Sequence, residues 1–231
     1  MSEMDGTPVA ALVLADTALE TVPENIVRHP AVRKDAERRR KDLRGILLDR
    51  SVHHAAMLRL DEAESRGRPD IPYHVLLDVT ATPAYSVGRL ELYIHTRKEL
   101  VITISKGLRP PRSYDRFRNL VEQLFVEGRV GKGSTLMALE PLSFAELLNR
   151  IRPTRVIGLS RLGKPTSLEV LVNRPSGRKP CYVVGGFPSG HFRPDMENCF
   201  DEMWSVSKRT LDASLVAARL VYEIEKRMHI E

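Results

Sequence analysis

The feature that most constrains the fold is the regular alternation of short apolar runs with longer amphipathic runs along the chain. The runs at residues 10–14, 155–159 and 181–184 have the length and apolar content of strands buried in a sheet. The patterns at residues 114–126 and 211–228 place apolar side chains at helical spacing. Strands that alternate with helices indicate an α/β fold with a largely parallel sheet.

Weaker patterns fill the segments between these elements. Further helices are predicted at residues 18–27, 51–65, 143–151 and 195–201, and further strands at 46–48, 135–139 and 203–206. Residues 72–79 suit either a helix or a strand, and residues 167–172 carry no clear pattern. The length of 231 residues predicts one domain over residues 1–231, or one domain with a sizeable insertion, and the sequence contains no internal repeat.

One segment interrupts the alternation of strands and helices. Residues 90–95 and 100–105 alternate apolar and polar side chains, and Arg97 and Lys98 lie between the two runs. This pattern is typical of a β-hairpin. We interpret it as an insertion, at about residues 88–106, that elaborates one edge of the sheet.

Charge narrows the class of partner. The net charge of +6 at pH 7 favours anionic partners, of which nucleic acid comes first. The basic run at residues 33–44 is typical of a solvated loop or helix face, with an RNA contact as the alternative.

The sequence shows no pattern typical of a metal site, a membrane span or a secretory signal. The spacing of Cys181 and Cys199 matches no zinc or redox motif, and the histidines form no dense ligand set, so we expect no metal. No run approaches the roughly 18 to 20 apolar residues that span a bilayer. Residues 9–15 lack the basic flank of a secretory signal. We therefore expect a cytoplasmic protein with no membrane partner.

Three segments follow late strands and are candidates for ligand-binding loops. They comprise Leu159 with Ser160, residues 185–190 and residues 206–211. Loops beyond the carboxyl ends of parallel strands line the ligand crevice of an α/β sheet. Glycines such as Gly185 and Gly190 let the backbone approach a flat ligand closely. Each loop alone indicates only a tight turn, whereas the three together favour a site for an adenine-like ligand.

Two groups of charged residues are also candidates. Arg109, Arg112 and Arg116 cluster before and at the start of the predicted helix over 114–126, where they suit RNA phosphates or a solvated helix face. Arg68 and Asp70 flank Pro69, which restricts the backbone between them. Such a pair is either a local ion pair or part of a catalytic site.

In this order along the chain, the motifs resemble the nucleolar essential protein family. They are Gly67-Arg68-Pro69-Asp70-Ile71, the run 90–95, Arg109-Pro110-Pro111-Arg112 with Arg116-Phe117, and residues 184–190. That family comprises SPOUT-class methyltransferases that modify N1 of pseudouridine in small-subunit ribosomal RNA. This chain is similar to its archaeal members, which implies a cytoplasmic location; a eukaryotic member would be nucleolar. The resemblance implies S-adenosylmethionine as methyl donor, a homodimer, and a trefoil knot within a carboxy-terminal region of about residues 155–231.

The resemblance also implies roles for individual residues. Arg68 would stabilise charge during catalysis and would be oriented by Asp70. RNA would contact Arg68, Arg109, Arg112 and Arg116. The positions implied to bind the donor are Leu159, Gly185, Gly190, Val206, Ser207, Lys208, Arg209, Thr210 and Leu211. Two alternatives stay open: a ribosome-assembly factor that binds RNA without catalysis, and a SPOUT methyltransferase that acts on transfer RNA.

Overall fold

The computed structural model describes residues 7–175 and 177–230, which contain one eight-stranded sheet. Its spatial order is β4-β5-β3-β2-β1-β7-β6-β8. The strands are β1 Ala10–Thr17, β2 Leu90–Thr96, β3 Leu100–Ile104, β4 Arg129–Val130, β5 Met137–Pro141, β6 Arg155–Pro165, β7 Pro180–Gly185 and β8 Glu202–Ser205. From β2 to β8 every neighbouring pair is parallel, whereas β3, β5 and β4 add antiparallel pairs. The predicted mostly parallel α/β sheet is confirmed.

Helices cover both faces of the sheet. They are α1 Pro30–Arg39, α2 Arg50–Met57, α3 Asp70–Thr80, α4 Pro83–Ser86, α5 Tyr114–Glu127, α6 Phe144–Ile151, α7 Leu168–Asn173, α8 Pro194–Glu197 and α9 Ala213–Met228. Strand β1 shows why the sheet needs both layers: Leu12 and Leu14 pack with α3, α5 and α9, while Val13 packs with α6 and α8 on the other side. A strand buried on both faces reads as a continuous apolar run, which is the pattern seen in the sequence.

The predicted hairpin is present, but its place in the sheet differs from the expectation. Strands β2 and β3 pair in antiparallel register, as the alternation indicates. However, β2 also pairs in parallel with β1, and β3 pairs with β5. The hairpin therefore lies inside the sheet instead of elaborating an edge. Sequence periodicity gives the two strands but not the partners on their outer sides.

The helix predicted at residues 18–27 is wrong. Pro23 lies in the middle of the segment and has no N–H for a helical hydrogen bond. The segment instead pairs with residues 46–48: Val22 N–H donates to the carbonyl of Ile46 at 2.8 Å, and Leu48 N–H donates to that of Glu20 at 2.9 Å. The predicted strand at 46–48 is thus reduced to one isolated bridge.

Other boundaries shift for local reasons. The helix expected over residues 51–65 is α2, which is capped by Asp49 and ends at Met57. Beyond it, Glu62 takes a left-handed backbone conformation before a short 3₁₀ turn. The ambiguous segment 72–79 is helical, with Pro72 in the first turn of α3. Residues 33–39 of the basic run lie in α1, and residues 40–44 follow that helix. Of the helix predicted at residues 195–201, only the short α8, Pro194–Glu197, is present. Among the described residues no helix is long and apolar enough to cross a membrane.

Candidate active site

A cavity of about 780 Å³ lies beside the middle of β6, the carboxyl end of β7 and the loop that follows β8. Its lining includes Leu159, Gly185, Gly190, Val206, Ser207, Arg209, Thr210 and Leu211. The structure therefore brings the three predicted segments to one place. The prediction of a loop at Leu159 and Ser160 is wrong, however, because β6 continues through both residues to Pro165, where it pairs again with β8. Lys208 is the exception, since it is exposed and does not belong to the lining. The volume is that of a small-molecule site.

Close packing shapes the loop that follows β7. A Cβ atom on Gly186 would lie 2.3 Å from Thr17 Oγ1 and 2.9 Å from Thr17 Cα, so only glycine fits there. Gly186 also bonds to β1, because its N–H donates to the carbonyl of Ala15 at 2.7 Å. Gly190, farther along, has a φ of +94°, which favours glycine. These glycines hold the loop tightly against the sheet and turn its far end along the cavity.

An ion network at the carboxyl end of β1 anchors the far end of this loop. Arg193 Nη2 donates to Glu99 Oε1 at 2.5 Å, and Arg193 Nε lies 3.3 Å from Asp16 Oδ1. Asp16 is fully buried at the end of β1, where burial raises its pKa while Arg97 and Arg193 oppose that shift. Arg193 follows Phe192, which lines the cavity. Sequence reasoning missed this anchor, because its members come from distant segments.

The loop that follows β8 is held by short-range hydrogen bonds. The side-chain oxygen of Ser207 accepts a hydrogen bond from Arg209 N–H at 3.0 Å, and Ser205 Oγ donates to the Ser207 carbonyl at 3.1 Å. These bonds close a turn around Ser207 at the cavity wall. Leu211 follows the turn, and α9 begins two residues later.

Arg68 and Asp70 line the same cavity, although they come from a segment distant in sequence. Arg68 Nε donates to Asp70 Oδ1 at 2.8 Å, and Arg68 Nη2 donates to Asp70 Oδ2 at 2.7 Å. This paired geometry raises the pKa of Arg68, chiefly through the hydrogen bonds to Asp70. The guanidinium therefore stays charged and is held in one orientation.

A second cavity of about 380 Å³ adjoins the first. Arg68, Asp70 and His74 line both cavities. The second is completed by Asp49, Ser51, Tyr73 and Tyr114. The Tyr114 hydroxyl donates to Asp49 Oδ2 at 2.7 Å, and burial raises the pKa of Tyr114, so its phenol stays protonated. The Arg68–Asp70 pair thus stands between a larger and a smaller chamber.

The three arginines of the predicted basic patch, Arg109, Arg112 and Arg116, are exposed and line neither cavity. We call them the arginine surface. The Tyr73 hydroxyl donates to the carbonyl of Arg112, and the ring of Tyr73 lies 5.4 Å from that of Tyr114. The arginine surface therefore begins at the edge of the smaller cavity.

Sequence reasoning missed five residues that line the smaller cavity: Asp49, Ser51, Tyr73, His74 and Tyr114. His74 had a detectable signal, because it lies one helical turn after Asp70 and hence on the same face of α3. Tyr114 directly precedes the predicted amphipathic helix, and Asp49 caps α2. In the part of the chain that the structure describes, no group of histidine, cysteine and carboxylate side chains suits a metal ion.

Comparisons with known proteins identify the family of this chain. The chain matches the family model described as EMG1/NEP1 methyltransferase over residues 12–225. It is 41% identical over 220 residues to the ribosomal RNA small subunit methyltransferase Nep1 of Pyrobaculum aerophilum, covering 93% of this chain and 96% of that protein. Nep1 of Thermococcus onnurineus is 41% identical over 186 residues, which is 80% of this chain and 85% of that protein.

A solved structure supports the same assignment. The crystal structure of Archaeoglobus fulgidus Nep1 bound to S-adenosylhomocysteine matches with a TM-score of 0.85 and 32% identity, covering 95% of this chain and 99% of that one. The fold, the sequence match over nearly the whole chain and the shared architecture agree: this chain belongs to the EMG1/NEP1 methyltransferase family.

Proposed function

We propose that the protein uses S-adenosylmethionine to methylate N1 of a pseudouridine in small-subunit ribosomal RNA. The observation that carries the proposal is the position of the Arg68–Asp70 pair, which lines both cavities. A donor in the larger chamber and a nucleobase in the smaller one would meet at this pair. The relatives are named ribosomal RNA small subunit methyltransferases, which supports the substrate class.

The larger cavity fits the donor in size and chemistry. The loop Gly185–Gly190 offers backbone close to the ligand, and Leu159, Val206 and Leu211 offer apolar contacts for an adenine ring. We assign donor binding to the cavity-lining members of the predicted set and leave Lys208 outside it. When bound, S-adenosylmethionine supplies an electrophilic methyl group on a sulfonium.

Arg68 carries the proposed catalysis. The N1 atom of pseudouridine bears a proton, which it must lose to the solvent of the open cavity as the methyl group is transferred. A fixed guanidinium beside the ring stabilises the negative charge that develops there. Asp70 occupies Nε and Nη2 of Arg68, and Nη1 makes no hydrogen bond to any described residue, so it is available to the base.

The arginine surface would bind the RNA backbone next to the target nucleotide. Arginine forms paired hydrogen bonds to phosphate oxygens, and Arg109, Arg112 and Arg116 are all exposed. We propose that RNA contacts these three residues and Arg68.

The oligomer, the chain topology and the location follow from the family assignment and are proposals. A homodimer would cover apolar side chains that are exposed in one chain, among them Leu162, Val170 and Tyr222. The trefoil knot would lie within about residues 155–231, where β6 pairs with both β7 and β8. A ribosomal RNA substrate in an archaeal-type protein favours a cytoplasmic location.

The test is transfer of a labelled methyl group to matched RNA stem-loops that carry pseudouridine or uridine at one position. We expect label only in the pseudouridine RNA. Equal labelling of both would refute the specificity for N1. Tight RNA binding without transfer, and without donor binding by calorimetry, would favour the ribosome-assembly factor. Preferential labelling of a transfer RNA would instead favour that substrate.

A further inference from the structure

Helix α1 is held against α5 by a network of ion pairs. Asp35 is fully buried and accepts hydrogen bonds from Arg38 Nη2 at 2.6 Å and from Arg118 Nη2 at 3.0 Å. Arg39 donates to both carboxylate oxygens of Glu122, at 2.7 and 2.6 Å. Charge-assisted hydrogen bonds in a buried setting hold their partners in one geometry. The positions of the other α1 side chains relative to α5 are therefore well defined.

The helical period places two exposed cations of α1 beside α5. Asp35 and Arg39 point towards α5, and Val32 packs into the core shared with α2. At 3.6 residues per turn, Lys34 and Arg38 fall on the flank next to α5 and away from that core. Both are exposed. We call these two residues the basic flank.

The basic flank adjoins the arginine surface. Arg39 Nη2 donates to Asn119 Oδ1 at 2.9 Å, and Arg116 lies one helical turn before Asn119 on α5. Residues three positions apart on a helix have Cβ atoms about 5 to 6 Å apart. The exposed acids Asp115 and Glu37 reduce the charge here but do not reverse it.

The cations thus form one strip. It starts at Arg112 beside the smaller cavity, continues through Arg116, and reaches Lys34 and Arg38 on a different segment of the chain. A strip of exposed cations that leads away from a base-sized cavity suits a polyanion that enters the cavity with one nucleotide.

We propose that Lys34 and Arg38 bind phosphates of the substrate RNA that flank the target nucleotide, as an extension of the arginine surface. The inference rests on the proposed function, because it takes RNA as the substrate. The contact is electrostatic and independent of base sequence, as phosphate contacts are. It also gives a role to part of the basic run at residues 33–44 that sequence patterns leave unassigned.

The experiment measures binding of a labelled pseudouridine stem-loop by fluorescence anisotropy as KCl rises from about 50 to about 300 mM. The test variant is Lys34→Gln with Arg38→Gln. The matched control is Arg33→Gln with Arg40→Gln, which removes the same charge from two other exposed positions: Arg33 lies on the opposite flank of α1, and Arg40 directly follows the last residue of the helix. We expect the slope of log affinity against log salt to weaken by about 1.4 in the test variant, at about 0.7 per lost phosphate contact. In the control variant the slope should be unchanged.

Two outcomes would overturn the inference: unchanged slopes in both variants, or an equal change in both, which would indicate net charge alone. Arg38 also bonds to Asp35, so thermal melts must accompany the binding data. If the double variant does not fold, Lys34→Glu replaces it, because Lys34 makes no ion pair with any described residue. Methyl transfer by the unmodified protein separates the two proposals: its absence refutes the proposed function, whereas normal transfer with unchanged slopes refutes only the basic flank.

Discussion

Arg68 and Asp70 face each other through two parallel hydrogen bonds, Nε to Oδ1 at 2.8 Å and Nη2 to Oδ2 at 2.7 Å. Both side chains are more than one third exposed. An ion pair this accessible contributes little to stability. Its position between the two cavities indicates a functional role, which makes its geometry the first thing to test.

Replacing Asp70 with Asn should slow catalysis without unfolding the protein. The amide offers one oxygen in place of two, so Arg68 loses its fixed orientation, and we expect kcat to fall on the order of 100-fold. Donor affinity, measured by calorimetry, should change far less. The Arg68→Lys variant should show a similar fall in kcat, since lysine keeps the charge but cannot form the two parallel hydrogen bonds to Asp70. An unchanged kcat in either variant would contradict the assigned role.

Gly190→Ala should weaken donor binding. Its φ of +94° is unfavourable for alanine, so the loop must shift at the cavity edge. A cost of about 1.4 kcal/mol corresponds to a tenfold weaker Kd for S-adenosylmethionine. Gly133→Ala is the matched control, because Gly133 has a φ of +80°, no neighbour within 4 Å, and a place near β4 at the far side of the sheet. If the control weakens donor binding equally, the effect is not local.

Arg193→Gln should raise the KM for the donor more than it lowers kcat. The change removes the cation that joins Asp16 and Glu99, so the loop between Gly185 and Arg193 loses its far anchor. Steady-state kinetics at varied donor concentration would measure the changes in KM and kcat separately. Arg150→Gln, which removes a surface pair with Glu140, is the control. A fall in kcat alone would mean that Arg193 does not position the donor loop.

The arginine surface should contribute to RNA affinity through salt-sensitive contacts. Arg112→Gln with Arg116→Gln removes two cations, so the salt slope for RNA binding should weaken by about 1.4. Arg129→Gln with Lys132→Gln, at the opposite end of α5, should leave the slope unchanged. Donor binding should be normal in both. An unaltered slope in the first variant would remove this surface from the RNA site.

Stability should fall in mild acid through His53. This side chain is fully buried, and burial lowers its pKa against the opposing effects of Asp35 and Asp49, while Arg118 adds to the lowering. The unfolded chain therefore takes up the proton first as the pH falls. The contribution of neutral His53 to the free energy of unfolding is complete above the pKa of histidine in the unfolded chain, about 6.5. This contribution is lost as the pH falls through the lower pKa of His53 in the folded protein.

Urea unfolding at about pH 7.5 and about pH 5.5 would measure this loss, with at most about 1.4 kcal/mol per proton per pH unit. His53→Gln should reduce the pH dependence of the free energy of unfolding. The part that remains should come from the buried His95, whose pKa is also lowered by burial. The neighbouring His54 is exposed, so His54→Gln should behave like the unmodified protein. Equal pH dependence in both variants would exclude His53 as a source.

Local patterns account for the elements that the sequence predicts well. Helix α5 was expected at residues 114–126 and runs over Tyr114–Glu127, since one apolar face recurs at helical spacing. Helix α6 is capped by Ser143, whose capping box with Glu146 is complete within four residues. In the segment 18–27, by contrast, apolar content suggested a helix, and pairing with residues 46–48 decided otherwise.

By itself the sequence determines the alternation of strands and helices, the buried β1, the glycine loop after β7 and the family resemblance, because each depends on neighbours a few positions apart. Only the tertiary structure decides that β2 and β3 lie inside the sheet, that Arg193 reaches Asp16, and that Arg68 and Asp70 meet β6 and the loops after β7 and β8. Those relationships depend on which strands pair and which helices pack over long separations. Periodicity along the chain does not encode that choice, because it is made by packing and hydrogen bonding in the folded state.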